Sequence, residues 1–222
     1  IFRTLQYTFK FILALNIIYN GSEETIACLR TIVRNIQISR QFVRLGRPLE
    51  HMYSFYKSLN LKEDLSKYCI LGRNLAYAIY LTFDTIVWIH KSGIMKFENM
   101  KTISINSQFF WLIGITFGII HEIYILSRIM GKVSEMKDVF SSKEEKEKEK
   151  EIEVRKRRSD DFRIILDERN NHCLILIQHS CDFLQPISYL GIYRIEPIFL
   201  ALFGIISSLI GARTQWIKVN GK

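Results

Sequence analysis

Apolar residues return every three or four positions through most of the chain, and the elements this rhythm predicts are helices. Leu5, Phe9, Ile12, Leu13 and Ile17 mark a first amphipathic helix over residues 1–19, closed by Asn20-Gly21. Asn20-Gly21-Ser22 has the form of a glycosylation sequon. A turn followed by Ser22 as N-cap, with Glu23 and Glu24 in the next first turn, accounts for it without modification. From Glu23 to Leu45, Ile26, Leu29, Val33 and Ile36 form an apolar stripe, and Arg30, Arg34, Gln37, Gln41 and Arg44 border it with a mostly basic one. Gly46 supplies the expected stop. Pro48 fits the first turn of a further helix to about Asn60, with Leu49, Met52, Phe55 and Leu59 on its apolar side.

Beyond residue 69 the pattern changes from stripes to tracts. Ile70 to His90 is apolar except for Arg73 and Asp84, which three turns of helix bring to nearly one face, close to Tyr77, Tyr80 and Trp88. Thr102 to Ile120 carries no charge over 19 residues, near the ~20 that cross a hydrocarbon core, and is the best spanning candidate. Residues 143–169 hold ten bases and ten acids, which predicts a solvated linker or a charged helix extension. Cys173 to Ile177 then opens an apolar helix that Pro186 breaks or kinks. Pro197 to Ala212 is a last uncharged stretch with Arg213 and Trp216 as interfacial anchors, and Gly204, Ser208 and Gly211 form a small-residue face for close helix packing. The regions are therefore 1–68, amphipathic and helical; 69–130, a hydrophobic helical pair; 131–170, a charged linker; and 171–222, membrane-embedded helices.

Composition agrees with an all-α, membrane-associated helical protein: 222 residues, 48% hydrophobic, with only 3 Pro and 11 Gly. The net charge is +9, and residues 1–60 supply more than half of that excess, with eight bases against three acids. An apolar stripe beside arginines can lie in a membrane interface with guanidinium groups on anionic headgroups. The same periodicity describes a bundle helix, and the pattern alone leaves the two equal. Cys28, Cys69, Cys173 and Cys181 lack C-x-x-C spacing, which favours reduced, buried thiols. His172, Cys173, His179 and Cys181 sit among Leu174, Ile175, Leu176 and Ile177, so packing explains them better than a metal. P-loop, G-x-G-x-x-G, H-E-x-x-H and G-x-S-x-G signatures are absent, and the reading is a protein with no enzymatic activity, metal or cofactor.

Five segments, in order, resemble the peroxin-11 family of peroxisomal membrane proteins: LQYTFKFI at 5–12, ISRQFVRLGRPLEHM at 38–52, LGRNLAYAIYLTFDTIVWIHKSGI at 71–94, FFWLIGITFGII at 109–120 and LFGIISSLIGARTQW at 202–216. The resemblance implies a protein of the peroxisomal membrane that inserts an amphipathic helix into the cytosolic leaflet, elongates the organelle, and supports fission by a dynamin-related GTPase and its membrane adaptor. Its implied partners are an anionic phospholipid membrane and further copies of itself, with no nucleic acid. The residues carried over are Arg30, Arg34, Arg40, Arg44 and Arg47, with Ile26, Leu29, Val33, Ile36 and Val43 as the inserting face. Pro48 departs from the family pattern, so the amphipathic element is expected as two helices at an angle. The alternative is a pore-forming metabolite channel, because Arg73 and Asp84 with Tyr77, Tyr80 and Trp88 place intramembrane polar groups on one face. A structural Arg73–Asp84 pair would explain the same face.

Overall fold

Ser22 is where the predicted first boundary falls. Its hydroxyl accepts from the Thr25 amide at 3.3 Å, and Asn20 turns the chain at φ 52°. The computed structural model describes residues 2–143 and 151–221, with side chains over 2–135 and 162–221. Among them the fold is all-α: α1 Phe2–Ile18, α2 Glu23–Phe42, α3 Arg47–Ser58, α4 Leu65–Lys91, α5 Met100–Lys143, α6 Glu151–Tyr189 and α7 Pro197–Asn220. Asp64 caps α4 by accepting from the Leu65 amide at 2.7 Å, and proline occupies the first turns of α3 and α7.

One boundary differs from expectation. The α2 helix stops at Phe42, before Gly46, because amides 43–45 and 47 turn back onto carbonyls three or four residues earlier in a run of tight turns. Gly46 itself has φ −82°, so it uses no left-handed freedom. The α5 helix runs on through the apolar tract to Lys143, and α6 begins at Glu151, so both enter the charged 131–170 region as helix. The stretch between them lies outside the described residues. Pro186 sits inside α6, which continues to Tyr189 before it ends.

Neighbouring helices pack in a ring. The order is α1, α2, α4, α5, α6, α7 and back to α1, with α3 laid against α4. Glycines bring two of these seams close: the Phe117 ring sits on Gly72 between α4 and α5, and the Tyr7 ring sits on Gly204 between α1 and α7. Two helices are long and apolar enough to cross a membrane, α5 over Met100–Glu135 and α7 over Pro197–Asn220. Only 22% of each apolar window is buried within the protein. A soluble core helix would hide most of that surface, whereas here Phe109, Ile120, Ile123, Phe199, Ile206 and Leu209 point outward.

Candidate functional site

The ring encloses a cavity of about 450 Å³. Every ring helix except α7 contributes to its wall, and α3 adds Arg47 and His51. On one side, Tyr80 stacks on Trp111 with centroids 5.6 Å apart, and His51 stacks on Tyr77 at 5.3 Å. Six cations, Arg3, Lys10, Arg40, Arg44, Arg47 and Arg73, face two carboxylates, Asp84 and Asp182.

Both carboxylates are engaged. Arg44 donates to Asp84 at 2.7 Å, and Gln41 donates to the other oxygen at 2.6 Å. Arg3 pairs with Asp182 and donates to Ser207 at 2.8 Å, while Ser207 donates to Asp182 at 2.5 Å. This triad ties α1 to α6 and α7. The remaining cations have no carboxylate partner among the described residues. Arg40 donates to the Gln6 amide oxygen, Lys10 lies 5.1 Å from the Tyr7 ring centroid, and Arg73 lies 5.7 Å from that of Tyr77. Burial, reinforced by Arg40 and Lys91, pushes the Lys10 amine down to about 8. Burial and then the nearby Arg44 push Arg40 down to about 10.

The structure divides the arginine stripe. Arg40 and Arg44 turn into the cavity, whereas Arg30, Arg34 and Arg47 are exposed, Arg47 at the cavity's edge. It also divides the expected inserting face. Leu29 and Val33 are buried, Ile26 and Ile36 are half-buried, and Val43 is exposed. An uncovered apolar row lies on α3 and its C-cap, where Leu49, Met52, Tyr53, Tyr56 and Leu59 stand outward at helical spacing while Ser58 is buried.

Arg73 and Asp84 do share the cavity wall with Tyr77 and Tyr80, but they do not pair. Asp84 is taken by Arg44, so the structural alternative, an Arg73–Asp84 pair, does not form here. Trp88 lies off the cavity, 5.6 Å from the Phe42 ring. Gly204 accommodates Tyr7, Ser208 is buried and bonds back to the Gly204 carbonyl at 2.5 Å, and Gly211 faces Gln178.

Pattern reading passed over Glu122. It is buried in α5, where His172 reaches it at 2.6 Å and His121 at 3.4 Å. A lone carboxylate inside an otherwise apolar tract was the available signal. Thus His172 serves a carboxylate and His179 covers Gly118, and no group of three ligands that could hold a metal occurs among the described residues. All four cysteines are free thiols, and Cys28 is exposed, contrary to the expectation of burial, because it lies on the outer side of α2.

Comparison with known proteins places this architecture. The family model for Peroxisomal biogenesis factor 11 (PEX11) matches residues 1–216. Peroxisomal membrane protein 11A of Homo sapiens is 24% identical over 220 residues, covering 96% of this chain and 89% of that protein. Peroxisomal biogenesis factor 11 of Schizosaccharomyces pombe is 25% identical over 97% of this chain and 88% of its own length. Peroxisomal membrane protein PMP30B of Candida boidinii is 25% identical over 96% and 87%. No solved structure matches. With a family match over nearly its whole length and two outward-facing apolar helices, the chain belongs to the peroxisomal biogenesis factor 11 family and is a protein of the peroxisomal membrane.

Proposed function

We propose that this protein elongates the peroxisomal membrane for proliferation and fission by wedging the outer face of α3 into the cytosolic leaflet. The observation that carries the reading is the row Leu49, Met52, Tyr53, Tyr56 and Leu59, exposed on a helix whose opposite side packs on α4. Each large apolar side chain taken from water contributes roughly 1.5–3 kcal/mol. Each base near an anionic surface adds about 1 kcal/mol, and Arg30, Arg34 and Arg47 are exposed for that contact. Insertion on one side expands one leaflet, and curvature follows. The protein acts here without a chemical step of its own, as a homo-oligomer that prepares the membrane for a dynamin-related GTPase and its adaptor.

The test is tubulation of vesicles containing anionic lipid by the reconstituted full chain. Leu49→Gln, Met52→Gln and Tyr56→Gln together should abolish tubulation while shifting stability only slightly, since all three side chains are exposed. Leu29→Ala should do the reverse, costing about 2–5 kcal/mol of stability through a cavity. A triple variant that tubulates normally and restores organelle number in a deficient cell overturns the wedge. A second reading, a pore-forming metabolite channel, is favoured by one observation: Arg73, Tyr77, Tyr80 and Asp84 all line the central cavity.

A further inference from the structure

Buried charge is costly unless it is paired, and chains that carry it normally supply a partner. Around this cavity two of six cations have one. Lys10, Arg40 and Arg73, none of them exposed, are left without a carboxylate among the described residues, and they come from three different helices; Arg47, at the edge, is exposed. Two further donors point the same way: Arg3 Nε and Arg44 Nε are buried with no acceptor among the described residues. Guanidinium groups offer forked donors that match tetrahedral oxyanions.

The chamber also has apolar extensions. A groove of about 780 Å³ shares Arg3, Arg40, Arg44 and Arg47 with it and continues along Val43, Ala212, Trp216 and Val219. A smaller one shares Tyr7 and Lys10 and runs on past Leu13, Ile17 and Leu200 between α1 and α7. A basic chamber opening onto apolar grooves suits an anionic head attached to hydrocarbon.

We propose that the central cavity is a binding site for a phosphate-bearing ligand, held by Lys10, Arg40 and Arg73 with the free Nε donors of Arg3 and Arg44. The shared chemistry is a phosphate monoester, either the head of a lipid such as phosphatidic acid or a soluble phosphate. At about 450 Å³ the chamber lies within the range of ligand pockets. The lowered proton affinity of Lys10 and Arg40 agrees, because both stay mostly cationic at neutral pH in surroundings that disfavour the charge, and a bound dianion would offset that penalty. The site does not rest on the wedge: the outward row of α3 does not line the cavity.

The experiment uses the full chain in neutral detergent, with native mass spectrometry to count retained dioleoyl phosphatidic acid against dioleoyl phosphatidylcholine, and calorimetry with inorganic phosphate. One phosphatidic acid per chain, held at least tenfold more tightly than phosphatidylcholine, assigns the lipid source. Saturable phosphate binding without lipid preference assigns the soluble one. In either case Arg73→Gln should weaken binding at least tenfold, whereas Lys57→Gln with Lys62→Gln, removing two exposed charges, should change it less than twofold. A second readout needs no variant: the bound ligand should slow acylation of the Lys10 amine severalfold in peptide mapping. The proposal is overturned if neither probe binds above the phosphatidylcholine control. It also falls if Lys10 acylates at the same rate with and without a saturating probe, or if a folded Arg73→Gln binds like the wild type.

Discussion

Asp84 holds two groups from forty residues earlier in the chain, the Arg44 guanidinium and the Gln41 amide, and so fastens α2 and the turn after it to α4. The side chains of Arg44 and Asp84 keep only 22% and 11% of their exposure. Removing one partner leaves the other charge buried. Asp84→Asn should therefore lower unfolding stability by about 3 kcal/mol, toward the lower end for a broken buried pair because Arg44 keeps some water. Arg73→Gln, which breaks no ion pair, should cost less than about 1 kcal/mol. Denaturant unfolding followed by helicity checks both, and equal losses would mean that the Arg44–Asp84 bond does not form. Helical spacing was enough to place residues 73 and 84 on one face, and both do line the cavity. It could not identify Asp84's partner, because periodicity within one helix says nothing of what another helix brings.

Helix starts were legible wherever a side chain writes them: the Ser22 hydroxyl, Pro48 and Pro197. Helix ends in the charged region stayed open between a linker and a helix extension, since runs of Glu and Lys favour helix and no glycine or proline interrupts them before Pro186. The α2 stripe was legible as a stripe but not as an interior one, because a bundle and a bilayer ask for the same period. Small-residue faces carry more information. Gly204 lies against the Tyr7 ring, and a methyl group there would overlap ring atoms that are themselves buried. Gly204→Ala should thus cost about 1–3 kcal/mol through overpacking. Adding Tyr7→Leu should recover part of the loss, a non-additivity that marks direct contact. If Gly204→Ala unfolds with the wild-type midpoint, α1 and α7 do not meet at this seam.

At the scale of the whole molecule the helices and their order could be read from the chain, whereas the ring could not. Its closure depends on Arg3, Asp182 and Ser207 meeting, three polar residues whose hydropathy singles out none of them. Conductance decides between the two readings of the cavity. A conducting path needs its cations to shape ion selectivity, so in planar bilayers Arg73→Gln should alter the anion-to-cation permeability ratio severalfold if the protein is a pore. An unchanged ratio, or no conductance from correctly inserted protein, leaves the cavity as a closed chamber. The bond from Arg3 to Ser207 spans 204 residues of chain. A ribosome adding about 5–20 residues per second takes roughly 10–40 s to travel that distance. Throughout that interval the first helix exists without the last one, its Tyr7 ring and Arg3 charge waiting for a surface not yet synthesised. The native ring therefore cannot close before α7 is made, and its closing contact is the last of these seams to form.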